Sequence, residues 1–103
     1  MDTEELKLML SESQEKRHEA LRYAGRHPFS VDVVVLIDEL CRFIDAEHIR
    51  AEIMVYFDTL QKTMKHRNLN LNLIVRMLER ASIRLKRNGR TDLADLLDGR
   101  HRH

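Results

Sequence analysis

Tryptophan is absent from this chain, and 103 residues include only one proline, one cysteine and three glycines. Scarce glycine and proline exclude both a turn-rich sheet protein and a disordered, low-complexity one. A lone cysteine excludes a disulfide framework. Cys41 lies in the apolar run Leu36 to Ile44, so a buried, inert thiol in a reducing compartment is expected. No apolar run approaches the ~18 residues that a membrane span requires. The start, Met1-Asp2-Thr3-Glu4-Glu5, lacks the basic and apolar segments of a signal peptide, which points to a cytoplasmic protein with no membrane contact. The three glycines, Gly25, Gly89 and Gly99, are far apart and read as helix stops, so no glycine-rich phosphate loop exists.

What remains is helical pattern. From Phe29 to Asn88 there is neither glycine nor proline, and the only cheap breaks are at asparagine and aspartate. The spacing of apolar residues predicts an all-α fold, a compact bundle of four to five helices at about 3-24, 31-44, 46-66, 71-87 and 92-98. Residues 1-98 form a single helical domain and 99-103 a polar tail in this reading. Asp2 with Glu5 caps the first helix, whose apolar face thins at Ser13 and Arg17, and Gly25 with Pro28 closes it. Ser30 caps the second, with Phe29 stapled onto Val34. That helix carries Val33 to Ile37, Leu40, Cys41, Phe43 and Ile44 on more than one face, so it must be covered on two sides.

The stripe Ile37, Leu40, Cys41, Ile44 and the stripe Ile49, Ile53, Tyr56, Phe57, Leu60, Met64 point in different directions at 100° per residue. A break at Asp45-Ala46-Glu47 follows, the alternative being one continuous helix serving two subunits. Asn70 caps the fourth helix, with Leu69 stapled onto Ile74, and Asn88-Gly89 ends it. Thr91 caps the last, which Gly99 stops.

The near-neutral total charge hides a split. Residues 1 to 61 hold seven Lys/Arg against thirteen Asp/Glu, a net of −6, whereas residues 62 to 103 hold eleven against four, a net of +7. In the fourth helix Arg76, Arg80, Arg84 and Arg87 fall in an arc of about 80°. Lys62, Lys65 and Arg67 are expected to extend that patch. A row of guanidinium forks suits the carboxylates of an acidic protein partner or the phosphates of a nucleic-acid backbone. The basic half has no aromatic residue, so any nucleic-acid contact is with backbone rather than stacked bases. Neutralisation of the basic half by the acidic half, within one chain or between chains, is the competing expectation.

No catalytic or cofactor pattern emerges. Glu15-x-x-His18 and Asp45-x-x-His48, with Glu52 four beyond, have the spacing of helical di-iron pairs, but the remaining bridging glutamates are missing. Ser11, Ser13, Ser30 and Ser82 lack a partner base. No enzyme activity, no metal and no cofactor are expected. Residues Asn88-Gly89-Arg90-Thr91-Asp92-Leu93-Ala94-Asp95-Leu96-Leu97 look like the closing helix of death-fold adaptor domains, six-helix bundles that assemble through charged faces. That likeness covers ten residues and follows a helix nearly two turns too long for the family, and is not carried into the reading. The sequence thus points to a regulatory or adaptor protein working through helix-to-helix contacts, as a homodimer, another homo-oligomer or a subunit of a larger assembly. The alternative is a nucleic-acid-associated protein using the same basic face.

Overall fold

A computed structural model describes residues 1–45 and 47–101. Its elements are α1 (Thr3–Glu12), α2 (Gln14–Arg26), α3 (Val33–Phe43), α4 (Ile49–Arg67), α5 (Leu71–Arg87) and α6 (Thr91–His101), with no strand among the described residues. The all-α class holds, but the helices among the described residues number six.

The extra helix comes from Ser13. Its backbone is extended (φ −148°, ψ 164°), and its hydroxyl accepts a hydrogen bond from the Lys16 amide at 3.2 Å. Ser13 thus ends α1 and caps α2, where the sequence reading had one helix over 3-24. The break lets two short apolar faces, Leu6 and Leu10 on α1 and Ala20, Leu21 and Ala24 on α2, reach one core. Arg17 Nη1 closes the joint by donating to the Leu10 carbonyl at 3.2 Å.

Gly25 is a second correction. It lies inside α2, which ends only at Arg26, and an added Cβ would stand 2.7 Å from Thr59 Cβ of α4. It permits close helix approach rather than stopping a helix. Asp32, not Ser30, caps α3 by accepting from the Val34 amide at 2.9 Å. Phe29 is 57% exposed, so the expected staple is not made.

The expected break between the second and third predicted helices is present: α3 stops at Phe43 and α4 starts at Ile49. The Asp45 carbonyl receives the His48 and Ile49 amides, whereas no side chain caps α4. Asn70 caps α5 through its side chain, accepting from Asn72 N at 2.9 Å. The end of α5 is a Schellman turn, with Gly89 at φ 78°, Gly89 N donating to Lys86 O and Arg90 N to Leu85 O. Helix α6 runs through Gly99 to His101, so Gly99 does not stop it; the tail residues Arg102 and His103 lie outside the described residues.

Leu10, Leu21, Leu36, Leu40, Ile49, Ile74 and Leu85 are the largest fully buried side chains and join all of α1 to α5 in one core. Helix α3 is covered from two sides, by α1 and by α5, as its apolar spread requires. Helices α2 and α4 pack in parallel: Arg17 and His18 meet Glu52, Gly25 meets Thr59, and Arg26 meets Arg67. The end of α2 therefore lies beside Thr59 and Leu60, and the last two turns of α4 run on past it to Arg67, whose side chain reaches back. No helix is long and apolar enough to cross a membrane among the described residues.

Candidate functional site

The arginine row of α5 divides, among the described residues, into a paired and an unpaired part. Arg84 clamps Asp38 of α3 with both arms of its guanidinium, Nε at 2.6 Å and Nη2 at 2.7 Å, and Asn88 Nδ2 adds a third donor at 3.1 Å. This clamp, above all the Arg84 hydrogen bonds, holds the Asp38 carboxyl below its ordinary value. Arg80 approaches Asp32 at a looser 3.5 Å and stays largely exposed. Arg76 and Arg87 are exposed and form no ion pair with the described residues. Part of the charge split is therefore neutralised inside the chain, across α3 and α5.

A folded-state carboxyl held low contributes stability that is complete above its unfolded value and lost as pH falls through the lower folded one. Asp38→Asn is accordingly expected to melt below the parent at neutral pH. The gap should close as pH drops below 3.8, the value of the free carboxyl. Thermal unfolding followed by circular dichroism across pH 7 to 2 checks the sign.

On the outer side of α5 the row is interleaved with exposed aliphatics. Leu73 is 46% and Ile83 55% exposed. Leu73, Arg76, Arg80, Ile83 and Arg87 follow one another in steps of three and four, the spacing of a helix seam, on the side away from the core.

Lys62 and Arg67 do not extend this row. They face α2, where they line a concave site of about 600 Å³ together with Arg22 and Arg26. Arg67 Nη1 donates to the Arg26 carbonyl at 2.9 Å, while Arg22, Arg26 and Lys62 form no ion pair with the described residues. His27, His66 and the hydroxyl-bearing Thr59 and Thr63 complete the lining, in which there is no carboxylate. Lys65 is exposed and lies outside it. Summing charge along the chain missed this site, because Arg22 and Arg26 belong to the acidic half. The visible signal was the four-residue step from Arg22 to Arg26, matched by the step from Lys62 to His66.

A second cleft, about 630 Å³, opens between α4, α5 and α6 over Phe57, Leu60, Met64, Leu71 and Val75. Its polar edge is limited to Asp58 and Gln61, and no nucleophile faces a base in it. Near the other end of α4, buried Glu52 places Oε2 2.9 Å from His18 Nε2 and Oε1 3.6 Å from Arg17 Nε. This joins His18 of one di-iron-like spacing to Glu52 of the other. Yet no three His, Cys, Asp or Glu residues come together as a metal site among the described residues. Cys41 is half-buried against the core, and burial pushes its thiol upward.

No family model matches the chain, and no curated protein or solved structure matches it.

Proposed function

We propose that this protein is a non-enzymatic adaptor that assembles through the outer face of α5, the partner being an acidic helix that also carries exposed leucine. The observation that carries the reading is the seam Leu73, Arg76, Arg80, Ile83, Arg87. Solvated charge alone needs no Leu73 or Ile83 at that spacing, and a phosphate backbone would gain nothing from them. Arginine is instead enriched at protein-binding hot spots, and apolar side chains beside it fit the less polar core of such an interface.

Charge complementarity names the first partner to test, a second copy of the chain. On α1, Glu4, Leu8 and Glu12 form one stripe in steps of four, and Leu8 is 66% exposed. Glu5 flanks it, and of these acids only Glu4 forms an ion pair among the described residues, with Lys7 at 3.9 Å. An α1 face meeting an α5 face is heterologous, so it propagates to a ring or an open chain rather than stopping at a two-fold dimer.

Sedimentation of the full chain is expected to show concentration-dependent association that weakens with salt. Arg76→Glu with Ile83→Asp should abolish it, as should Glu4→Arg with Glu12→Arg. Mixing these two variants should restore one-to-one dimers that grow no further, since each keeps one working face. Monomers at every concentration would remove the self-association reading. Duplex nucleic acid binding that falls with log salt and is lost in the α5 variant would move the same face to a phosphate backbone.

A further inference from the structure

We infer that the concave site between the C-terminal ends of α2 and α4 binds a small anion bearing several phosphate groups. The inference is independent of the α5 seam, because the two sites share no residue.

Four permanent cations, Arg22, Arg26, Lys62 and Arg67, line one hollow without a carboxylate to balance them. Helix dipoles explain part of this gathering. Helix α2 ends beside Thr59 and α4 about two turns further on, each end carrying about half a unit of negative charge, and cations belong beside both. Arg67 is visibly used in that way, on the Arg26 carbonyl at 2.9 Å. The dipoles leave roughly three positive charges over. Like charges held this close repel one another in the unliganded protein, and an anion relieves that repulsion when it binds.

The hollow is open to solvent and, at about 600 Å³, falls in the size range of small-molecule sites. Gly25, which is not itself part of the lining, lets α2 approach α4 at Thr59, one of the lining residues. Thr59 and Thr63 give their hydroxyl protons to the carbonyls of Val55 and Thr59, each at 2.9 Å, and so offer no free donor. The donors left to a ligand come chiefly from guanidinium and ammonium groups, with the imidazoles of His27 and His66 beside them. Planar arginine forks match phosphate oxygens in pairs, and a lysine adds a point charge. A single phosphate would engage only part of a set of four cations. A ring or chain carrying phosphates on neighbouring atoms engages them all.

The chemistry is shared by a soluble polyphosphate and by the headgroup of a phosphorylated inositol lipid, and the test separates these sources. Titration calorimetry of the full chain with inositol hexakisphosphate is expected to give a one-to-one complex. Arg22→Gln with Lys62→Gln should weaken it by about a hundredfold, about tenfold for each charged hydrogen-bonding group. Arg76→Glu with Arg87→Glu, on α5, should leave the affinity within about twofold. Vesicles carrying phosphatidylinositol bisphosphate are the second arm: sedimentation with them, lost in the Arg22/Lys62 variant, assigns the site to a lipid headgroup. Circular dichroism confirms that each variant is folded, and Arg22→Lys with Lys62→Arg, which keeps the charge, replaces any variant that is not. In that case binding retained by the swap and lost at high salt supports the site. Absence of binding in both arms overturns the inference. So does binding that survives in the folded Arg22/Lys62 variant, or that falls equally in the α5 variant.

Discussion

Arg17→Met is expected to lower the stability of this protein by about 3 kcal/mol, a large share of what a domain of this size has to spare. Glu52 is 3% exposed, and Arg17 and His18 are the groups that face its carboxylate. With Arg17 gone, the His18 imidazole at 2.9 Å still stands beside the carboxylate, which places the expected loss at the low end for a broken buried ion pair. The Leu10 carbonyl at the end of α1 also loses its donor, so the α1–α2 joint loosens at the same time. The double variant Arg17→Met with Glu52→Leu separates these effects. Removing both charges takes away the desolvation cost along with the attraction, so the double variant should be more stable than Arg17→Met alone. Urea unfolding with an unchanged slope would read this directly. A double variant as unstable as the sum of the singles would mean that packing of the arginine stem, not the charge, holds the joint.

That pair also shows where sequence reasoning reaches and where it stops. Caps at Asp2 and Asn70, the Asn88-Gly89 stop and the break before Ile49 were legible, because each is decided within a few residues by hydrogen-bonding chemistry or helical phase. Gly25 was misread for the opposite reason. As local chemistry it is a stop signal, and only the arrival of Thr59, thirty-four positions later, reveals it as a close-approach site. The arc of four arginines on α5 was likewise legible from helical phase. That Arg84 is spoken for was not, since Asp38 comes from another helix. The polyanion site failed to appear because charge was summed along the chain, whereas the fold sums it across two parallel helices. Arg17 and Ser13 looked like a weakness in one long stripe; they are the hinge between two short ones.

Gly25→Val is expected to be the most damaging single change at the α2–α4 seam. Even an alanine Cβ would stand 2.7 Å from Thr59 Cβ, 2.9 Å from its Cγ2 and 3.0 Å from the Leu60 amide nitrogen. Thr59 has little room to retreat, because its Cβ is fixed by the helix backbone and its hydroxyl is bonded to the Val55 carbonyl. For Gly25→Ala the overpacking cost of about 1–3 kcal/mol outweighs the gain of about 1 kcal/mol from a better helix former. Valine adds two methyl groups to the collision and no further helix propensity, so its loss should be about 3 kcal/mol or more. Thr59→Ala should rescue Gly25→Ala poorly, since it keeps the nearest atom. Thr59→Gly should rescue most of it, less about 1 kcal/mol for a glycine in the helix interior. Thermal unfolding of the four variants gives the order. The same series reports on the neighbouring site: prising the helices apart should weaken inositol hexakisphosphate binding in Gly25→Ala without touching a charge, and Thr59→Gly should bring it back. Affinity unchanged in a folded Gly25→Ala protein would show that the four cations act as a loose surface cluster rather than as a site whose spacing the glycine sets.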